Sequence, residues 1–297
     1  MNDPLSLLTT FPWRGFFSVL SFAWGACLGS FLNVCVYRIP RELSVVAPRS
    51  FCPHCNKQIA WYHNIPLFSY LALGAKCAYC GGRISPRYFL IELLTAVLFL
   101  LIWLKFDLTW GVRPLHLAPI VQWQLVPVYW LAISGLILGT FVDFEHMIIP
   151  DRVTLGGIAA GLILSALVPA MHSETSFLWS LMFSAIGAAV GWGLLWTVGA
   201  LGTLALKKEA MGFGDVKLIG AIGAFLGWRA VLFTIMISSL AGSIVGIALV
   251  VMRKREMQSR IPYGPYLALA ALIWILWGPV LWDGYIQFLT PKSPPLH

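Results

Sequence analysis

Apolar residues in this chain come in long unbroken runs rather than in stripes. The runs lie near 15–37, 89–104, 122–142, 153–171, 177–206, 216–228, 230–252 and 263–289, with short polar stretches between most of them. About 20 consecutive apolar residues are enough for a helix to cross the hydrocarbon of a bilayer. The pattern therefore predicts an all-α polytopic membrane protein with about eight transmembrane helices. Run 177–206 is long for one crossing and is expected to project beyond the membrane. Run 216–228 is short and carries Gly220, Gly223 and Gly227, which suits a closely packed, tilted or partly spanning helix. The first run, Phe16 to Val36, is too long for the core of a signal peptide and has no small-residue cleavage pattern after it, so it is read as a retained helix. The one substantial polar stretch is 38–88. Three regions follow: a first helix in 1–37, a loop in 38–88, and a membrane domain in 89–297. No internal repeat suggests the inverted halves of a transporter.

Composition strengthens this picture, and charge orients it. The chain has 297 residues, 59% of them hydrophobic and 11% charged, with a mean hydropathy of +0.81. A net charge of +8 raises the question of an acidic partner such as nucleic acid. In a membrane protein the excess is better explained by basic loops kept on the cytosolic side, and no nucleic-acid partner is expected. With the N-terminus outside, the inner loops hold Arg38, Arg41, Arg49, Lys57, Lys76, Arg83, Arg87, Arg152, Lys207, Lys208, Lys217, Arg253, Lys254, Arg255 and Arg260. The outer side keeps Arg14, Lys105, Arg113, Arg229 and Lys292. This asymmetry predicts both termini outside and the 38–88 loop in the cytosol.

Four of the six cysteines fall in that loop, as Cys52-Pro-His-Cys55 and Cys77-Ala-Tyr-Cys80. Two such pairs form a tetrahedral thiolate site for structural zinc, Zn(2+), which supplies folding energy to a loop with little other evident structure. A cytosolic location argues against disulfides, and no βαβ context supports a redox motif. His54 and His63 are read as loop histidines, and Cys27 and Cys35 as small buried apolar residues.

Acidic residues number only 12, and four stand at or near helix ends: Glu92, Asp143, Asp151 and Asp215. Asp143 closes the third run, where the helix dipole disfavours an anion. Asp215 opens the sixth, after Gly212-Phe-Gly214. The predicted topology puts both at the cytosolic face, where two carboxylates sharing one proton can activate water and protonate a leaving amide. Asp215 has a second reading as a helix cap, with Gly212 and Gly214 forming a turn or letting a backbone approach. Asp151 after Pro150 reads as an N-cap, and Glu92 as an interfacial ion pair with Arg83 or Arg87.

Several motifs occur in order along nearly the whole chain: Gly29-Ser-Phe-Leu-Asn-Val-Cys-Val-Tyr-Arg-Ile-Pro40, both cysteine pairs, Asn64-Ile-Pro-Leu-Phe-Ser-Tyr-Leu-Ala-Leu-Gly74, Arg87-Tyr-Phe-Leu-Ile-Glu-Leu93, 143–151, Gly212-Phe-Gly-Asp-Val-Lys-Leu218 and Ile261-Pro-Tyr-Gly-Pro-Tyr-Leu-Ala268. With these the chain resembles the type IV prepilin peptidases, bifunctional leader peptidases and N-methyltransferases of the bacterial inner membrane. The resemblance implies a G-x-G-D aspartic peptidase in 89–297, with Asp215 and Asp143 as the catalytic pair and Asp151 a neighbouring acidic position. It implies a prepilin or pseudopilin substrate with a basic leader, cut after Gly at the cytosolic face, and S-adenosylmethionine as methyl donor. Lys217 is a candidate partner for the substrate's glutamate by position. No residues of the methyl-donor site are evident.

Overall fold

The computed structural model describes residues 11–106, 123–208, 211–252 and 262–289. Of the residues singled out above, Arg113, Arg253, Lys254, Arg255, Arg260, Ile261 and Lys292 lie outside them, as does the side chain of Arg14. The helices are α1 (Phe11–Arg38), α2 (Phe68–Ala72), α3 (Pro86–Phe106), α4 (Leu125–His146), α5 (Asp151–Leu167), α6 (Phe177–Leu206), α7 (Phe213–Val251) and α8 (Gly264–Leu289). Among the described residues the only β pairing is two isolated antiparallel bridges, Phe51 with Gln58 and Lys76 with Arg83. Six helices, α1, α3, α4, α6, α7 and α8, are long and apolar enough to cross a membrane. The protein is thus an all-helical, multi-pass membrane protein. At 17 residues α5 is shorter. The 30 residues of α6 would reach about 45 Å, more than the roughly 30 Å of a hydrocarbon core.

Length alone misdescribes α7. Its 39 residues break at Gly227, which takes φ 79° and ψ 172°. Only glycine adopts that conformation readily. Val231 Cγ2 lies 2.9 Å from where a Cβ on Gly223 would stand. Eight residues along a straight helix would separate them by about 12 Å, so the chain turns sharply. The two apolar runs 216–228 and 230–252 are the two arms of α7.

The chain divides into two compact units, Met1–Gly156 and Gly157–His297. In the first, α1 lies against α3 at Gly25 and Gly29. A Cβ on Gly25 would stand 2.8 Å from Ala96 Cα, and one on Gly29 2.7 Å from Glu92 Cα. Small residues let membrane helices approach to backbone contact, where dispersion replaces a hydrophobic drive that lipid does not provide. One turn beyond Gly29, Asn33 Nδ2 donates to the Tyr88 carbonyl at 3.0 Å and ties α1 to the start of α3. Further along α3, Phe99 stacks on Trp130 of α4, whose indole N–H donates to the Phe99 carbonyl at 3.0 Å.

The second unit repeats the device. A Cβ on Gly187 of α6 would strike the Gly223 carbonyl, and one on Gly223 the Gly187 carbonyl. Gly191 similarly faces the Ile219 carbonyl. Beside the break in α7, Ser184 Oγ donates to the Ala224 carbonyl at 2.7 Å. The amide that a continuous helix would aim at that oxygen lies beyond Gly227. The arm after the break meets α8 through Phe233 on Trp274 and through Ser238 Oγ, 2.7 Å from the Tyr263 hydroxyl.

Candidate active site and metal centre

The cysteine loop is more structured than its sequence suggests. Besides the bridges it contains single turns at Ile39–Arg41 and Trp61–His63 and the short helix α2. The two cysteine pairs fold alike. The Cys52 amide donates to the Lys57 carbonyl at 3.0 Å, and the Asn56 amide returns to the Cys52 carbonyl at 2.8 Å. In the second pair the Cys77 amide donates to Gly82 at 2.8 Å, and the Gly81 amide returns to Cys77 at 2.9 Å. Asn56 (φ 54°) and Gly81 (φ 69°) hold the same left-handed position, which asparagine and glycine tolerate best. The Cys52, Cys55, Cys77 and Cys80 sulfurs all lie within 4.8 Å of one another, close enough to hold one metal ion. All four thiols are free of disulfide bonds.

Electrostatics in the cluster are uneven. The Tyr79 amide, 3.5 Å from the Cys77 sulfur, and after it the Cys80 amide hold that thiol down at about 6. Cys80 accepts from the Gly82 amide, which lowers it; desolvation and hydrogen bonds to the three sister thiols outweigh that amide and push it up to about 11. Four crowded sulfurs cannot all ionise without a cation among them. His54 is placed beside the cluster. It lies across the second knuckle, with Nε2 3.2 Å from the Arg83 carbonyl and its ring where a Cβ on Gly82 would stand. Cys35 is buried, whereas Cys27 is exposed on the outer face of α1 and does not belong to the core.

The acidic residues fall in different surroundings. Asp143 stands in the last turn of α4 with 5% exposure, and its carbonyl accepts from the Met147 amide at 2.9 Å. Met147, at φ 55°, ends the helix in a left-handed cap. Asp151 is the first residue of α5 rather than the capping residue before it, because the Val153 and Thr154 amides bond to the Pro150 carbonyl. As a first-turn carboxylate it complements the helix dipole. Asp143 and Asp151 belong to the first unit, Asp215 to the second.

Asp215 lies in the first turn of α7, with Gly212 capping the helix and Gly214 inside it. Gly212 has φ −68°, so the glycine is not there for a left-handed turn. A Cβ on Gly212 would stand 3.2 Å from Asp215 Oδ2, so a side chain there crowds the carboxylate. Lys217, half a turn on, holds its ammonium 5.1 Å from the Phe213 ring centroid.

Glu92 departs from expectation. Arg87 sits five positions before it on α3, about 140° round the helix, and reaches Glu145 near the end of α4 instead. The Glu92 carboxylate, with the residue 8% exposed, accepts the Leu67 amide at 2.8 Å. Leu67 is held at φ 62°, ψ −51°, in a tight turn closed by the Phe68 amide on the Pro66 carbonyl at 2.7 Å. Sequence reasoning missed this contact and passed over Asn33. A polar side chain inside the first apolar run was the signal available.

Comparison with known proteins agrees with the motifs. Residues 23–106 match the bacterial peptidase A24 N-terminal domain, and residues 130–247 match the type IV leader peptidase family. A prepilin leader peptidase/N-methyltransferase of Aeromonas hydrophila is 35% identical across 95% of this chain and 97% of its own length. One of Pseudomonas aeruginosa is 35% identical across 92% of this chain and 94% of its own. One of Myxococcus xanthus is 40% identical across 78% of this chain and 62% of its own. No solved structure matches. The chain belongs to the type IV leader peptidase family, a family of aspartic proteases.

Proposed function

We propose that this protein removes the leader of a prepilin or pseudopilin after its glycine and methylates the amine so exposed. The observation that carries the reading is Asp143. A carboxylate at 5% exposure, in the last turn of a membrane helix, is costly on two counts, desolvation and helix dipole, and such residues are kept for chemistry. Asp215 is its partner. One carboxylate, ionised, takes a proton from water as the water oxygen bonds to the scissile carbonyl carbon. The other, protonated, gives its proton to the amide nitrogen as the C–N bond breaks. Gly212 leaves open the space beside Asp215, and Lys217 is the candidate for the substrate's glutamate.

The same reading puts the enzyme in the bacterial inner membrane with about eight crossings, both termini periplasmic and the 38–88 loop and both aspartates at the cytosolic face. Leaving out the five-residue α2 and counting the two arms of α7 separately, the described residues hold eight helical segments, which supports that number. The 1–37 helix and the 38–88 loop then precede a peptidase domain in 89–297. The cysteine cluster fits structural zinc. Zinc–sulfur bonds of about 2.3 Å at tetrahedral angles place sulfurs about 3.8 Å apart, and the Cys52 and Cys80 sulfurs are separated by 3.8 Å. Cys52, Cys55, Cys77 and Cys80 would hold the ion, which closes the loop without taking part in catalysis. S-adenosylmethionine, when bound, supplies a methyl group on a positively charged sulfur. The chain's part is to hold the new amine deprotonated and aligned.

The test is leader removal from a prepilin in proteoliposomes by Asp143→Asn and Asp215→Asn variants. Neither should process it, while both remain inserted and elute like the parent protein. Normal processing by either variant rejects the pair.

A further inference from the structure

The methylating half of the proposed function has no assigned site, and a cavity in the first unit offers one. It has a volume of about 470 Å³ and lies between the inner ends of α1 and α3 and the cysteine loop. That is the size of a site that envelops a small molecule. We propose that it binds the adenosyl methyl donor, an inference that rests on the methyl-transfer reading above.

Three side chains lining the cavity carry buried polar atoms without a hydrogen-bond partner: Asn33 Oδ1, His63 Nδ1 and Arg87 Nε. Buried polar atoms are almost always satisfied, and three around one space mark a place where a ligand supplies the partners. Asn33 is 2% exposed, and its Nδ2 is committed to the Gly29 and Tyr88 carbonyls, which leaves Oδ1 as the group without a partner. Glu92 brings a carboxylate to the wall, held by the amide of the strained Leu67 turn. Backbone strain of this kind persists where the surrounding structure enforces a particular geometry. Tyr79 and Tyr88 add aromatic rings to the lining.

This inventory suits one chemical class. An adenosyl sulfonium amino acid carries two cationic centres, a carboxylate, and an aromatic base with donors and acceptors. Glu92 answers the cations and Arg87 the carboxylate. Aromatic faces attract both adenine and a sulfonium. Asn33 and His63 answer the polar edges. The position is apt as well. Arg87, in the wall, is ion-paired with Glu145, two residues beyond Asp143. The cavity therefore adjoins the helix end where leader cleavage would release the amine to be methylated.

The test is calorimetric titration of the purified, metal-loaded, full-length protein with S-adenosylhomocysteine, the demethylated product. One saturable site is expected. Affinity should fall about tenfold or more in Asn33→Leu and in Tyr79→Leu, the second of which changes an exposed ring and does not threaten folding. Metal content and elution volume report that each variant is folded. Unchanged affinity in both folded variants overturns the assignment, as does no binding to the wild type at millimolar ligand. A parallel mass measurement on processed pilin separates the two claims. If methyl is added while the variants bind normally, the donor site lies elsewhere and the proposed function stands. If no methyl is added under any condition, the proposed function itself fails.

Discussion

Gly212 separates the two readings of Asp215 more sharply than removal of the carboxylate does. As a helix cap, position 212 should prefer serine: Gly→Ser gains a few tenths of a kcal/mol of stability and Gly→Ala loses about 0.5. As clearance for a catalytic carboxylate, it should tolerate neither. The added Cβ stands 3.2 Å from Asp215 Oδ2, inside ordinary van der Waals separation, so the carboxylate must move by a few tenths of an ångström. Displacement of a reacting group by about 1 Å costs roughly a hundredfold in rate, and a few tenths then costs about three- to tenfold, or about 0.6–1.4 kcal/mol in the barrier. Leader cleavage by Gly212→Ser in proteoliposomes should thus slow by that factor while its melting temperature holds or rises. KM should stay near the parent value, because the leader is not touched. Full activity in both variants, or activity loss that tracks stability loss, refutes the clearance argument and leaves Gly212 as an ordinary helix cap and Asp215 as a first-turn carboxylate.

Other consequences follow from the packing and the metal site. Cys77→Ser should reduce bound zinc from about one ion per chain to none by metal analysis, and a strong chelator should expose the 38–88 loop to protease while the membrane helices stay intact. Gly187→Ala adds a methyl where the Gly223 carbonyl already lies; it should cost about 1–3 kcal/mol, read as a lower melting temperature in detergent. Ser184→Ala removes the bond to the Ala224 carbonyl beside the break in α7, a loss of about 0.5–1.5 kcal/mol by the same measurement.

What the sequence made legible was what bilayer and metal impose locally. A membrane demands unbroken apolar runs, so the helices could be read from them, down to the division of α7 that a length count alone conceals. Thiol spacing within each pair fixes the knuckle, so the cluster was readable as well. The errors arise where distant residues decide. Arg87 precedes Glu92 by five positions and seemed its natural partner, but the helix turns it away toward Glu145. The Glu92 carboxylate instead meets a loop amide, at a left-handed leucine that no propensity anticipates. The cavity beneath the cysteine loop is lined by residues of α1, α3 and the loop that are far apart in sequence, so no local pattern announces it. Of the two properties that Gly212 offered before Asp215, an unusual φ and room for a close approach, its φ of −68° removes the first.

The central claim is that one chain both cuts and methylates. Its most direct test is the mass of a prepilin recovered after incubation with the purified enzyme and S-adenosylmethionine. The account predicts a product shortened by the leader up to its glycine and heavier by one methyl group on the new N-terminal amine, with neither change in the Asp143→Asn enzyme. A pilin of unaltered mass after incubation with folded, metal-loaded enzyme would contradict it.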